Sequence, residues 1–245
     1  MSSESSTQGV YLRPQQSPAS LRERVSAQLT PGRWLLLALV LAVFALYMWR
    51  IEAKSIWWDE SLSLHRARAD VAYILSNHID FPGSPTIDLH PPLYFLVLHM
   101  FVRAAGESDL VLRLPSVLFA VVLVPLLYAM GRRLRGPRVG MLAALMGAVS
   151  PFYLWYAQEA RMYTMVTALS LASLYSLWRA LSERRGLYWV AFGILAASAV
   201  ATQYMAILVV ACQVGLAVWI LWRGRAPAPS EQAQGNRLYQ GLAVP

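Results

Sequence analysis

Apolar runs of membrane-spanning length, separated by short connectors rich in arginine, constrain this chain more than any other feature. A helix that crosses a bilayer needs about 20 mostly apolar residues. Trp34–Ile51 qualifies, with Arg50 near enough to its end to snorkel, and so do Leu114–Gly131, Val139–Ala157 and Met162–Leu181, the last carrying Arg179 near its end. Leu187–Trp222 is 36 residues long, too much for one helix, and the polar Thr202-Gln203 pair is its natural break. The expected fold is therefore all-α, a polytopic transmembrane helical bundle of about six spans. Composition agrees: 57% of residues are hydrophobic and 14% are charged, against about 25% charged in soluble globular domains.

One apolar stretch does not fit this series. Pro91–Val102 is only 12 residues long, flanked by Asp88 and His90 on one side and Arg103 on the other. A helix that lies in the interface or dips into the outer leaflet accounts for it. Residues 52–113 then form one large loop with short interfacial helices, holding 5 basic and 8 acidic residues. The segments on the opposite side hold 13 basic and 4 acidic residues, including the Arg132-Arg133-Leu134-Arg135 turn. Positive charge accumulates on the cytoplasmic side, so both termini are expected there and loop 52–113 outside, in a plasma (inner) membrane protein. Had Pro91–Val102 spanned, the arginine turn would face outward.

The net charge of +8 belongs to these connectors and so does not indicate nucleic acid. Cys212 is the single cysteine, which excludes a disulfide within the chain and a cysteine metal site. Residues 1–33 read as a disordered cytoplasmic tail rich in Ser, Gln and Pro, in which Leu21, Val25 and Leu29 beside Arg22 and Arg24 fit a short surface helix. Residues 34–222 read as the membrane domain, with Trp34 opening a signal anchor, and 223–245 as a polar cytoplasmic tail.

Polar residues that these spans bring to the outer side are the candidates for chemistry. Trp57-Trp58-Asp59-Glu60 places two carboxylates just after the first span: either a solvated acidic turn capping a helix at Ser61–Arg68, or a general base or metal ligand at the membrane surface. Asp88-Leu89-His90-Pro91-Pro92-Leu93-Tyr94 puts an imidazole just before a helix N-terminus, which favours anions, unless it is only a surface turn. Asn77-His78-Ile79-Asp80 with Asp88 and His90 has metal-ligand residue types at irregular spacing. In Trp155-Tyr156-Ala157-Gln158-Glu159-Ala160-Arg161-Met162-Tyr163, ionisable groups sit at a helix junction near the apolar core, and the planar fork of Arg161 suits a phosphate. A local ion pair ending two helices is the plainer alternative. Arg113-Leu114-Pro115-Ser116 brings an arginine to the mouth of the second span, where it could also serve as an interfacial anchor.

Taken in order, an apolar helix, Trp-Asp-Glu, His-Pro-Pro-Leu-Tyr, Arg-Leu-Pro-Ser, an arginine-rich turn and Glu-Ala-Arg-Met-Tyr resemble the N-terminal half of a membrane glycosyltransferase of the C superfamily. The resemblance covers about residues 34–222 and is nearest to the protein-mannosyltransferase-like group related to aminoarabinose transferases. It implies a polyprenyl-phosphate monosaccharide as donor, a glycan, lipid or protein as acceptor, and inverting transfer on the outer face. It implies catalytic roles for Asp59, Glu60 and Glu159. It assigns the donor phosphate and lipid to His90, Arg161, Tyr94, Tyr163 and Arg113. No cofactor is required, although some members use a divalent metal ion, for which Asp59 and Glu159 would be the ligands. Enzymes of this kind usually run longer, with further spans, so a truncated, non-catalytic subunit of the same fold is one alternative and a lipid or solute transporter another.

Overall fold

The structure, a computed structural model, describes residues 31–81, 84–87 and 90–224; of residues 31, 80, 81 and 84–87 it describes the backbone alone. The two expected tails lie outside the described residues, apart from residues 31–33, which begin the first helix, and residues 223–224. Among the described residues ten helices and one hairpin follow in order: α1 Pro31–Met48, α2 Trp58–Arg68, α3 Val71–Ser76, β1 His78–Phe81, β2 Ser84–Ile87, α4 Leu93–Ala105, α5 Asp109–Arg135, α6 Pro137–Ala148, α7 Pro151–Ala157, α8 Tyr163–Glu183, α9 Gly186–Thr202 and α10 Ala206–Trp222. The strands pair antiparallel, His78 opposite Ile87 and Phe81 opposite Ser84.

Local chemistry sets most of these boundaries. Asp70 caps α3 by accepting from the Tyr73 N–H at 2.7 Å, and α3 ends at Asn77 in the left-handed conformation that Asn tolerates. Ser108 caps α5, accepting from the Val111 N–H at 3.4 Å. Gly136 takes φ 91° between α5 and α6, where Pro137 starts the next helix at its first position. The two helices then press together, because a Cβ on Gly140 would stand 2.6 Å from the Tyr128 carbonyl oxygen.

Among the described residues one helix, α5, is long and apolar enough to cross a membrane by length and composition, and α6 with α7 makes a second if the bent pair is one span. The expected span Val139–Ala157 is thus not straight. It bends by 56° at Val149-Ser150, where Pro151 opens a new helix without an N–H to continue the old one. α1, α9 and α10 are apolar but shorter, and the break between α9 and α10 falls at Gln203–Met205 as the Thr202-Gln203 pair predicts. Pro91–Val102 becomes α4, a 13-residue helix with apolar residues gathered on one side.

The bundle has an inverted surface. Small and polar side chains lie inside, among them Ala120, Ala144, Ala148, Ser173 and Gln213, whereas Leu41, Val122, Leu142, Ile194, Leu208 and Val218 face outward. Small residues at helix contacts and large apolar ones outside are what lipid as a solvent selects. Ser173 donates to Gln213 Oε1 at 2.9 Å, and Leu177 and Leu181 pack on Ala217 and Ile220, so α8 and α10 run side by side in the same direction. The other connections gather at two ends. At one, Gln158 donates to the carbonyls of Tyr47 and Trp49 at 3.1 and 3.0 Å, joining the end of α1 to the α7–α8 junction. Asn77 Nδ2 reaches the Tyr204 hydroxyl at the α9–α10 break, 3.1 Å away. At the opposite end Arg133, next to the α5–α6 turn, pairs with Glu183 at the end of α8.

Candidate functional site

The first of these ends carries the predicted site residues. α2 begins at Trp58 rather than at the expected Ser61, so Asp59 and Glu60 fall within its first turn instead of in a turn before it, where acidic side chains suit the helix N-terminus. Successive residues on a helix point about 100° apart, and the two carboxylates accordingly meet different surroundings.

Glu60 turns inward and is 1% exposed. Arg113, from the first turns of α5, grips it bidentately, Nε to Oε1 at 2.9 Å and Nη2 to Oε2 at 2.8 Å. The Ala160 N–H donates to Oε1 at 2.8 Å and the Trp57 N–H to Oε2 at 3.5 Å. Arg113 also donates to the carbonyls of Ile51 and Lys54. Burial alone would raise the proton affinity of Glu60, but the Arg113 hydrogen bond, the Ala160 N–H and the Arg113 charge outweigh it and hold the carboxyl below its ordinary range. This pair ties the α1–α2 connector, α2, α5 and the α7–α8 junction together.

Asp59 turns toward open space, its side chain 33% exposed. Its Oδ2 lies 3.6 Å from Arg161 Nη2, and Arg161 Nη1 is 3.5 Å from the Asp59 carbonyl. The same Nη2 is 3.4 Å from His90 Nε2. Arg161 itself is 4% exposed, and its Nε is buried with no hydrogen-bond partner. A guanidinium held by contacts this long, with a donor unused, is incompletely satisfied, and its fork suits an anionic oxygen.

The backbone that presents Arg161 is fixed from below. Ser116 Oγ donates to the Arg161 carbonyl at 3.0 Å and lies 3.1 Å from the Tyr94 hydroxyl. Thr164 Oγ1 donates to the Ser116 carbonyl at 2.9 Å. Tyr94 is fully buried in this brace, whereas Tyr163 is half-buried beside Arg161, its ring 5.8 Å from the guanidinium carbon and 4.7 Å from the Tyr156 ring. Glu159 is 8% exposed. Burial raises its proton affinity above the ordinary carboxylate range; the Trp155 hydrogen bond opposes this, Glu60 adds to it, and Lys54 and Arg161 oppose it.

The structure therefore brings Asp59, His90, Arg161 and Tyr163 together and sets Glu60, Arg113 and Tyr94 behind them. Among the described residues no three His, Cys, Asp or Glu side chains converge, and Asp59 already faces a guanidinium. The Asp80 and Asp88 side chains lie outside the described residues. Sequence reasoning missed Ser116 as a brace, although Ser within an apolar run after Arg-Leu-Pro was visible, and it missed Arg66. This arginine is 0% exposed and donates to the carbonyls of His90 and Ile74, both at 3.0 Å, and to Asn77 Oδ1.

The helical bundle, with small side chains inside and large apolar ones outside, presents a buried, incompletely paired arginine beside a carboxylate at the junction of its apolar helices, an arrangement of a membrane protein. The profile of the dolichyl-phosphate-mannose-protein mannosyltransferase family matches residues 89–228, and the chain belongs to that family of membrane glycosyltransferases. The match includes His90, Arg113, Glu159 and Arg161 and begins after Asp59 and Glu60. No curated protein and no solved structure matches the chain significantly.

Proposed function

We infer that the chain transfers a monosaccharide from a polyprenyl-phosphate donor to an acceptor hydroxyl on the outer face of the membrane, with inversion at the anomeric carbon. The observation that carries this reading is Arg161, a buried guanidinium with an unused Nε between Asp59 and His90. The family's name specifies a lipid-phosphate sugar, whose phosphate is the anion such a guanidinium would accept.

The reaction balances without a strong general acid. The acceptor oxygen attacks the anomeric carbon, its proton passes to the Asp59 carboxylate, and the bond from that carbon to the phosphate oxygen breaks. Polyprenyl phosphate leaves with one added negative charge, which Arg161 stabilises, with His90 and Tyr163 lining the same space. Asp59 later returns its proton to solvent. In this reading Glu60 and Arg113 hold α2 and α5 in register, and Tyr94 acts through Ser116 on the Arg161 backbone; all three position the site. Glu159, a buried carboxyl with raised proton affinity near Glu60, Lys54 and Arg161, is the second carboxylate of the site.

Six crossings by α1, α5, the α6–α7 pair, α8, α9 and α10 fit the gathering of connections at two ends, with the arginine-rich end cytoplasmic. The plasma membrane is then the site of action, with residues 34–222 as the catalytic membrane domain and both termini cytoplasmic.

The test is transfer of radiolabelled sugar from a set of polyprenyl-phosphate donors by membranes that contain the inserted chain. Turnover that disappears in Asp59→Asn supports the assignment, and turnover that persists overturns the role of Asp59. No turnover from any donor would favour a non-catalytic subunit.

A further inference from the structure

Arg66 is among the most deeply buried charged groups of the molecule and takes no part in the chemistry just described. It projects from α2, the helix that also carries Asp59, into a space bounded by α3, α4 and the segment before α4. Its guanidinium donates to the His90 carbonyl at 3.0 Å, the Ile74 carbonyl at 3.0 Å and Asn77 Oδ1. The Phe95 ring lies 4.2 Å from the guanidinium carbon. Burying a guanidinium for packing alone is costly, and a hydrophobic side chain of similar volume often serves packing as well or better. What the guanidinium does that an apolar group cannot is fix backbone oxygens at set directions.

One of those oxygens belongs to His90. The residues after it, Pro91 and Pro92, have rigid φ and cannot donate backbone hydrogen bonds, so they cannot supply the N–H contacts that would otherwise anchor this turn. The carbonyl of His90 is held from α2, and the imidazole of the same residue stands 3.4 Å from Arg161 Nη2. Asn77 extends the connection outward, because its Nδ2 donates to the Tyr204 hydroxyl at the α9–α10 junction, 3.1 Å away. Asn77 sits in the left-handed region at φ 59°, where its side chain can serve both Arg66 and Tyr204.

We propose that Arg66 is a positioning residue for the donor phosphate: through the His90 carbonyl it sets the imidazole against Arg161, and Asn77 locks that arrangement to the α9–α10 junction. The proposal rests on the reading of Arg161 as the phosphate site, so its test uses binding as well as turnover. The probe is a short-chain polyprenyl phosphate, titrated against the purified full chain in detergent, with the melting temperature of each variant measured alongside.

The wild type is expected to bind the probe, Arg161→Gln to lose binding, and Arg66→Lys, which keeps the charge and loses the fork, to bind roughly tenfold more weakly, as a displaced group in a preorganised site does. The same loss should appear in the donor KM with little change in kcat. In a His90→Ala background Arg66→Lys should cause no further loss, because a residue that acts through His90 has nothing left to position. A purely structural arginine would instead give additive losses that track melting temperature. Should Arg66→Lys fail to fold, Asn77→Gly retains the left-handed backbone and removes one attachment, and it should weaken binding in the same direction. Binding lost in Arg161→Gln but unchanged in the Arg66 and Asn77 variants overturns the positioning role and leaves the phosphate reading standing. Absence of binding by the folded wild type overturns both.

Discussion

Asp59 and Glu60 are neighbours with the same functional group on the same helix turn, yet they occupy opposite kinds of environment. Glu60 is sealed, with two bonds from Arg113 and two backbone N–H groups on its oxygens. Asp59 is open, and its arginine stands off at 3.6 Å with an unused donor. Both pairs are carboxylate and guanidinium. A saturated, desolvated pair contributes to the register of the helices that it joins and has no capacity left for a substrate. An unsaturated pair at the edge of solvent costs stability and retains the capacity to bind and to move a proton, which is where catalytic function is expected.

Removing either half of the sealed pair should have the largest effect on stability. Glu60→Gln strands the Arg113 charge in the interior and is expected to cost about 3–5 kcal/mol, read as a fall in melting temperature and in the yield of inserted protein. Glu60→Leu combined with Arg113→Met should recover much of that loss, since no buried charge remains. Arg161→Gln should behave in the opposite way. Turnover is expected to fall by roughly 10²–10³-fold, as when one transition-state donor is removed, while the melting temperature changes little. If Arg161→Gln instead unfolded the protein, the two pairs would not differ in kind.

The brace under Arg161 lies between these cases. Ser116→Ala removes the donor to the Arg161 carbonyl and the partner of the Tyr94 hydroxyl, and it should destabilise by about 1–3 kcal/mol, as buried polar groups left unsatisfied do. Glu159 gives the smallest and most specific effect. Its folded proton affinity is raised by burial, so between the ordinary carboxylate value and the raised one the folded state holds a proton that the unfolded state has lost. Stability contributed by this group is therefore present at low pH and is lost as pH rises through that window. The melting temperature of the wild type relative to Glu159→Gln should fall as pH rises through the window and level off above it. A constant difference would mean that Glu159 titrates normally.

Much of this fold was legible in the sequence because lipid tolerates few solutions. Apolar length located α1, α5, α8 and the divided run of α9 and α10, and the shortness of Pro91–Val102 marked α4 as different. What escaped detection depended on local backbone and on contacts between distant segments. The bend before Pro151 came from one proline within an otherwise continuous apolar run. The hairpin at His78–Ile87 has no clear alternation of apolar and polar residues. Residue types singled out Asp59, His90 and Arg161, which the structure brings near one another, but Glu60 and Asp59 were indistinguishable by sequence, since only the rotation between helix positions separates them. Tyr94 read as a ligand-binding residue because its aromatic neighbours in the sequence are the same for either role. Its hydroxyl, turned to Ser116, places it in the brace. Arg66 drew no notice, since an arginine in a loop with other charged residues ordinarily faces water.

The comparison is tested most directly by turnover per folded molecule in Asp59→Asn and Glu60→Gln, measured side by side with a polyprenyl-phosphate sugar and normalised to the inserted, correctly melting fraction. The account predicts a fall of about 10²–10⁴-fold for Asp59→Asn with an unchanged melting temperature, and near-normal turnover in whatever Glu60→Gln protein remains folded. Full turnover in Asp59→Asn, or its loss in folded Glu60→Gln alone, would contradict it.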